Sequence, residues 1–106
     1  MDKALTRPLN TLLAGYSCMM SSLTGRAVSY GLPPAIGVEL TNICNLHCPE
    51  CSTGSGQMTR PKGFMDLKLF DKIIDELKNS LYFINLNFQG ESMMHPSFHN
   101  FIMKSK

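Results

Sequence analysis

An amphipathic helical pattern between two short apolar runs constrains the fold more than any other feature of this 106-residue sequence. The apolar positions of the pattern recur at helical spacing, at Leu67, Phe70, Ile73, Ile74 and Leu77. Asp66 is the predicted N-cap of this helix. The runs 36–41 and 81–88, which are mostly apolar, predict a strand on each side of it. A strand, a crossover helix and a second strand imply a parallel pair with a right-handed connection.

Two further helices are predicted outside this unit. Residues 12–20 are predicted to be part of an N-terminal helix, and glycines and prolines in 24–35 indicate a linker after it. Beyond Pro96, apolar residues at helical spacing begin another amphipathic helix. We therefore expect residues 1–35 to form a helical lead-in with its linker, and residues 36–106 to begin a larger α/β domain.

The expected fold class is α/β, with about two β/α units of a parallel (β/α) barrel of the TIM type. Parallel strands are usually buried on both faces, and the apolar residues of 81–88 fit that environment. A complete barrel takes roughly 250 residues. The sequence is thus expected to be the N-terminal portion of a barrel, incomplete at its C-terminal end.

Composition argues against two classes of partner. The formal net charge is +2, only 17% of residues are charged, and lysines and arginines never form a run, so no nucleic-acid-binding surface is predicted. No segment approaches the roughly 20 apolar residues that span a bilayer. Clustered cysteines point to a reducing compartment, and we expect a cytoplasmic protein.

Three cysteines lie close together in a long loop without periodicity, residues 42–63, which we term the cysteine loop. Cys44, Cys48 and Cys51 follow the pattern C-x3-C-x2-C. Thiolates ligate iron–sulfur clusters and zinc, and three protein ligands leave one metal position open for chemistry. The spacing alone leaves two alternatives, which are an iron–sulfur cluster or a zinc site completed by His47 or Cys18.

A second motif follows the second predicted strand, at Gln89-Gly90-Glu91-Ser92. The functional face of a parallel barrel is the C-terminal edge of its strands. The cysteine loop leaves the first strand at that edge, and this turn leaves the second strand there. Both motifs are therefore expected to open onto the same mouth of the barrel.

Together the two motifs resemble those of the radical S-adenosylmethionine (radical SAM) superfamily. The cysteine pattern after a first strand resembles the signature of that family, and the turn is similar to its Gly-Gly-Glu-Pro turn. The runs VELTNICNLHCPECSTG and FQGESMMHPSF resemble a subgroup that often carries a cysteine-rich (SPASM-type) C-terminal extension for auxiliary clusters. The resemblance covers residues 36–102 and identifies the chain as the N-terminal part of such an enzyme.

The resemblance implies the roles of these residues. The three cysteines would hold a 4Fe–4S cluster, and the amino and carboxylate groups of S-adenosylmethionine would fill its open iron. The cofactor-binding residues would be Gln89, Gly90, Glu91 and Ser92. In this turn Gly90 would admit the cosubstrate closely and Glu91 would accept its ammonium group. Gln89 and Ser92 stand where the family usually has glycine and proline.

The implied reaction is reductive cleavage of S-adenosylmethionine to a 5′-deoxyadenosyl radical, which abstracts hydrogen from a substrate. The resemblance does not identify the substrate, although peptides and proteins are candidates, and it implies a reductant such as flavodoxin or ferredoxin. No catalytic side chain is assigned within the chain, which is not expected to be active alone. The alternatives are a small iron–sulfur or zinc module without catalytic activity, and a truncated, inactive gene product.

Three other residues carry separate expectations. Cys18 is expected to be a small buried residue of the N-terminal helix. His95 is expected at the surface or as a capping group. Glu39, an acid within a predicted strand, is costly to bury unless paired, so it faces either the barrel lumen or solvent.

Overall fold

The computed structural model describes the backbone of residues 3–106 and the side chains of residues 6–106. The elements in chain order are α1 (Lys3–Thr24), β1 (Ala35–Gly37), α2 (Leu67–Leu77), β2 (Phe83–Asn85), a 3₁₀ turn (Ser92–Met94) and α3 (Phe98–Lys104). None of the helices within 3–106 combines the length and apolar character needed to cross a membrane.

The chain divides into two compact units. The first consists of residues up to 36 together with 75–83, and the second of residues 37–74 together with 84–106. The first unit thus contains the end of α2 and the beginning of β2 in addition to the helical lead-in. The second unit contains the cysteine loop, the turn at 89–92 and α3.

β1 and β2 are adjacent and parallel, as the order of strand, helix and strand predicted. The Tyr82 N–H donates to the Pro34 carbonyl over 2.8 Å, and the Val38 N–H donates to the Asn85 carbonyl over 2.7 Å. Each strand has 3 residues, so the predicted strands at 36–41 and 81–88 were too long.

Both strands end because their backbones find other hydrogen-bond partners. After Val38 the chain leaves β2, and the Leu40 carbonyl accepts from the Met65 N–H over 2.8 Å. Thr41 then forms an antiparallel bridge with Phe64. At the end of β2, the Asn85 side chain accepts from the Asn87 N–H over 3.1 Å, which turns the chain.

The burial of β2 differs from the expectation of two covered faces. Leu81, just before the strand, is buried, but Tyr82 is 59% exposed and Phe83 is 64% exposed. The apolar pattern of 81–88 is therefore not matched by burial in the structure.

The core of the second unit is aromatic. Phe70 of α2 and Phe101 of α3 are fully buried and meet edge to face, with ring centroids 5.0 Å apart. The ring of His95 packs edge-on against Phe101 at 4.7 Å and against Phe64 at 5.2 Å. An ion pair of 2.6 Å between Lys104 and Asp71 closes the same pair of helices at the surface.

His95 is a core residue and not a surface one, but it also caps the 3₁₀ turn, which was the other predicted role, because its N–H donates to the Ser92 carbonyl. It is 8% exposed, and both ring nitrogens have partners. Nδ1 accepts from the Ser97 N–H over 3.0 Å, which leaves the proton on Nε2 to be donated to the Met65 carbonyl at 3.0 Å. The imidazole thus satisfies two backbone groups inside an aromatic cluster, which a phenyl ring could not do.

The Asp66 carboxylate begins α2 as predicted, because it accepts from the Lys68 N–H over 3.1 Å. The helix covers Leu67–Leu77, close to the predicted bounds. Its predicted apolar face contains Phe70, which is fully buried. Periodicity and a capping residue were sufficient to locate this element.

In the first unit, polar side chains of α1 bind the linker. The Asn10 amide pairs with the backbone of Leu32 in both directions, over 2.7 and 2.8 Å. The Ser17 hydroxyl accepts from the Tyr30 N–H over 2.8 Å. Because Ser17 faces the linker, Cys18, about 100° further round the helix, is exposed, and its predicted burial was wrong.

We expect Phe101→Ala to destabilise the second unit by about 3–5 kcal/mol, because it removes a fully buried ring and leaves a cavity. Phe88→Ala is the matched control, since this phenylalanine is 75% exposed, and its effect should stay within about 0.5 kcal/mol. Urea unfolding followed by circular dichroism measures both. Equal effects of the two substitutions would contradict the described core.

Candidate functional site

The cysteine loop is closed at its base by two buried polar side chains. The Asn42 side chain donates to the Pro61 carbonyl over 2.9 Å and accepts from the Gly63 N–H over 2.8 Å. The Thr41 hydroxyl donates to the Gly63 carbonyl over 2.7 Å and accepts from the Ile43 N–H over 3.1 Å. Three of these hydrogen bonds join the two ends of the loop, although much of the sequence between them has no regular structure.

Within the loop, the backbone folds tightly around the cysteines. Cys44 and Cys51 are half-buried, Cys48 is exposed, and all three are free thiols. The Cys51 N–H donates to the Cys48 carbonyl over 3.2 Å. A Cβ on Gly54 would lie 2.6 Å from the Cys48 nitrogen, so only glycine permits this return of the chain.

Two of the sulfur atoms receive backbone N–H groups. The Leu46 N–H points at the Cys44 sulfur over 3.4 Å. The N–H groups of Gly54 and Thr53 donate to the Cys51 sulfur and lower the pKa of that thiol, against a smaller opposing effect of burial. The hydrogen bonds to Cys51 favour its thiolate, which is the form that binds metals.

The donor set suits an iron–sulfur cluster in its chemistry. Thiolates with N–H donors to sulfur are characteristic of such sites, where these hydrogen bonds also tune the reduction potential. Among the residues that the structure describes, however, no group of three or more His, Cys, Asp or Glu is close enough to hold a metal ion. The three thiols belong to one tight loop, but their sulfur atoms are not arranged around a common metal position. His47 is exposed and is not brought together with them.

The turn after β2 lies directly against the beginning of the cysteine loop. The Glu91 N–H donates to the Ile43 carbonyl over 2.8 Å, one residue before Cys44. Gly90 has a φ of +81°, and a Cβ there would lie 2.5 Å from the Thr41 carbonyl oxygen. The structure thus brings the two sequence motifs together at the ends of the parallel strands, which is the edge that the strand order indicated.

The Glu91 side chain is held by the turn that follows it. Its Oε1 accepts from the Met93 N–H over 3.2 Å, which caps the 3₁₀ turn Ser92–Met94. Ser92 is buried and its hydroxyl donates to the Leu86 carbonyl. One oxygen of the Glu91 carboxylate is therefore fixed by a hydrogen bond. The turn itself is anchored through Ser92 to the backbone of Leu86, which follows β2.

Sequence reasoning missed Arg60. Its guanidinium donates to both carboxylate oxygens of Glu39, over 3.0 and 3.1 Å, and its Nη2 donates to Gln89 Oε1 over 3.3 Å. The hydrogen bonds and negative charge of Glu39 raise the pKa of Arg60 above its usual value. Glu39 is thus paired, and 21% of its side chain is exposed. An acid in a strand signals that a cation is needed, but no spacing rule identifies a partner 21 positions away.

Comparisons with protein-family models, curated proteins and solved structures found no significant match to this chain. Its function is therefore inferred from its residues and their contacts.

We expect Gly90→Ala to destabilise the second unit by about 2–5 kcal/mol, because a left-handed φ and overlap with the Thr41 backbone act together. Gly56→Ala is the matched control. Gly56 has a similar φ of +77°, but a Cβ there has nothing within 4 Å, so the cost should be only about 1–2 kcal/mol. Urea titrations compare the two, and equal costs would mean that Gly90 does not touch the cysteine loop.

Proposed function

We propose that this chain is the cluster-binding and cosubstrate-binding N-terminal part of a cytoplasmic radical SAM enzyme. One observation carries the proposal. The Gly90–Glu91 turn contacts the backbone immediately before Cys44, through the hydrogen bond to Ile43 and the close approach to Thr41. A cosubstrate that must be bound by the turn and by the cluster at once requires this juxtaposition. The resemblance of both motifs to that superfamily supplies the identity of the ligands.

The cysteine loop would hold a 4Fe–4S cluster through Cys44, Cys48 and Cys51. The N–H groups that donate to the Cys51 sulfur favour its thiolate form before any metal binds. Three protein ligands leave one iron free for an exchangeable ligand. The amino and carboxylate groups of S-adenosylmethionine are proposed to occupy it.

The turn would bind the ammonium end of the cosubstrate. Gly90 lacks a side chain at the point where the turn and loop meet, so the turn can lie directly against the backbone of Thr41 and Asn42. Glu91 is half-buried, and its capping bond to Met93 fixes the orientation of the carboxylate. A carboxylate fixed in this way can accept an ammonium group in a charge-assisted contact without first losing side-chain freedom. Gln89 and Ser92 complete the binding turn.

A bound 4Fe–4S cluster supplies one-electron reduction of S-adenosylmethionine, which yields a 5′-deoxyadenosyl radical for hydrogen abstraction. The residues of this chain bind and orient the reactants, and no side chain in it is assigned a catalytic role. The electron would come from a reductant such as flavodoxin or ferredoxin. The substrate is left unassigned, with peptides and proteins as candidates.

A second candidate is a small iron–sulfur or zinc module without catalytic activity. The exposed Cys48 and the absence of a formed ligand set among the described residues are compatible with it. Such a module would make no use of the contact between the turn and the loop. A response to S-adenosylmethionine therefore separates the two candidates.

We expect anaerobic reconstitution with iron and sulfide to give a brown protein with a broad absorption band at about 400 nm, from charge transfer between thiolate or sulfide and iron. Serine at Cys44, Cys48 or Cys51 should abolish the colour, because each removes a ligand. Cys18→Ser is the control and should leave iron and sulfide content unchanged. Stoichiometric retention of zinc in preference to iron would refute the cluster.

We expect S-adenosylmethionine to change the electron paramagnetic resonance spectrum of the reduced, reconstituted protein, because it binds the free iron. Glu91→Gln keeps an oxygen that can cap Met93 but loses the negative charge, so the half-saturating concentration should rise about 10- to 100-fold with cluster content unchanged.

Glu76→Gln, an exposed acid of α2, is the matched control for charge removal and should bind as the unmodified protein does. Glu91→Ala also removes the hydrogen bond that caps the 3₁₀ turn at Met93. Comparison of the alanine and glutamine variants therefore separates the effect of the charge from that of local folding. Equal responses of Glu91→Gln and the unmodified protein would remove Glu91 from the cosubstrate site.

A further inference from the structure

Three side chains from separate parts of the second unit form one hydrogen-bonded group, which we term the Arg60 cluster: Glu39, Arg60 and Gln89. Glu39 follows β1, Arg60 lies near the end of the cysteine loop, and Gln89 begins the turn after β2. The Arg60 guanidinium connects the other two side chains, because its Nη2 donates both to the Glu39 carboxylate and to the Gln89 amide oxygen. The cluster thus links both motifs and the strand that precedes the cysteines.

Glu39 fixes the direction in which Arg60 donates. The carboxylate accepts from both Nη1 and Nη2, and this bidentate pairing sets the plane of the guanidinium. A second hydrogen of Nη2 then points away from Glu39 and reaches Gln89 over 3.3 Å. A lysine could pair with Glu39, but it lacks the planar set of donors that engages both acceptors in this geometry.

Gln89 is bonded directly to Gly90, whose backbone lies against Thr41. On the other side of Glu91, the Ser92 hydroxyl binds the Leu86 carbonyl. Side-chain hydrogen bonds therefore hold the turn on both sides of Gly90 and Glu91. Glycine and proline, which the resemblance would place at 89 and 92, could form neither bond.

We infer that Arg60 is a positioning residue that holds the Gln89–Gly90–Glu91 backbone against the start of the cysteine loop. Its effect on S-adenosylmethionine rests on the proposed function, whereas its effect on the turn does not. Arg60 donates hydrogen bonds to Glu39 and Gln89. It acts through Gln89, so removal of either side chain should release the turn to the same extent.

The first test is hydrogen exchange at the Glu91 amide, measured by mass spectrometry on the chain without metal. This N–H is bonded to Ile43 and reports the contact between turn and loop. Arg60→Met should speed its exchange about two- to fivefold, the loss expected for one exposed hydrogen bond. Gln89→Met should do the same, and the double variant should go no further than either one. Arg60→Lys should fall between Arg60→Met and the unmodified chain.

Two controls separate a local effect from general destabilisation. Lys62→Met removes a neighbouring cation of the same loop that lies outside the Arg60 cluster, and it should leave Glu91 exchange unchanged. Exchange at Phe101, in the core of α3, should be the same in all variants. Unchanged exchange at Glu91 in Arg60→Met, or equal acceleration at Glu91 and Phe101, would overturn the inference.

The second test titrates S-adenosylmethionine against the reduced, reconstituted protein by electron paramagnetic resonance. Arg60→Met should raise the half-saturating concentration about two- to fivefold without changing iron content or the spectrum before addition. The proposed function would be refuted if the unmodified protein took up iron but its spectrum did not change on addition of S-adenosylmethionine. In that case the hydrogen-exchange result would still decide whether Arg60 positions the turn. A response identical in Arg60→Met and the unmodified protein would overturn that role while leaving the proposed function intact.

Discussion

The arrangement of the second unit depends on the backbone contact between the turn at 89–92 and residues 41–43. The Glu91 N–H binds the Ile43 carbonyl, and Gly90 lies so close to Thr41 that no other residue fits without displacement of the chain. Thr41 and Asn42 can take part because their side chains also close the cysteine loop. One short stretch, 41–43, therefore joins strand, loop and turn.

Local signals in the sequence predicted the helices well. α2 has its apolar residues at helical spacing and a carboxylate at Asp66 that caps it, and these cues depend only on neighbouring residues. The strands were predicted too long because their ends are decided by distant partners. Thr41 pairs with Phe64, more than twenty positions away, and this competition has no local signature.

Burial was predicted less well than secondary structure, for the same reason. His95 is buried because Phe64 and Phe101 surround it, and Cys18 is exposed because Ser17 takes the side of α1 that faces the linker. A side chain becomes core or surface only when its element acquires neighbours. The parts of the site that sequence could indicate were the motif residues themselves, whereas Arg60 became evident only from its contacts with Glu39 and Gln89.

The cysteine loop combines fixed ends with an interior held mainly by backbone turns. Its base is tied by the side chains of Thr41 and Asn42, and its last residues are tied through Arg60 to Glu39 and Gln89. Between these points the described hydrogen bonds include short-range ones such as Cys51 N–H to the Cys48 carbonyl. Metal binding to thiolates contributes free energy to local folding, because the site and its surroundings form together. In this loop, metal binding would stabilise the interior that contains the cysteines. The contacts that place the loop beside Glu91 are made by the backbone of residues 41–43 and do not involve the thiols.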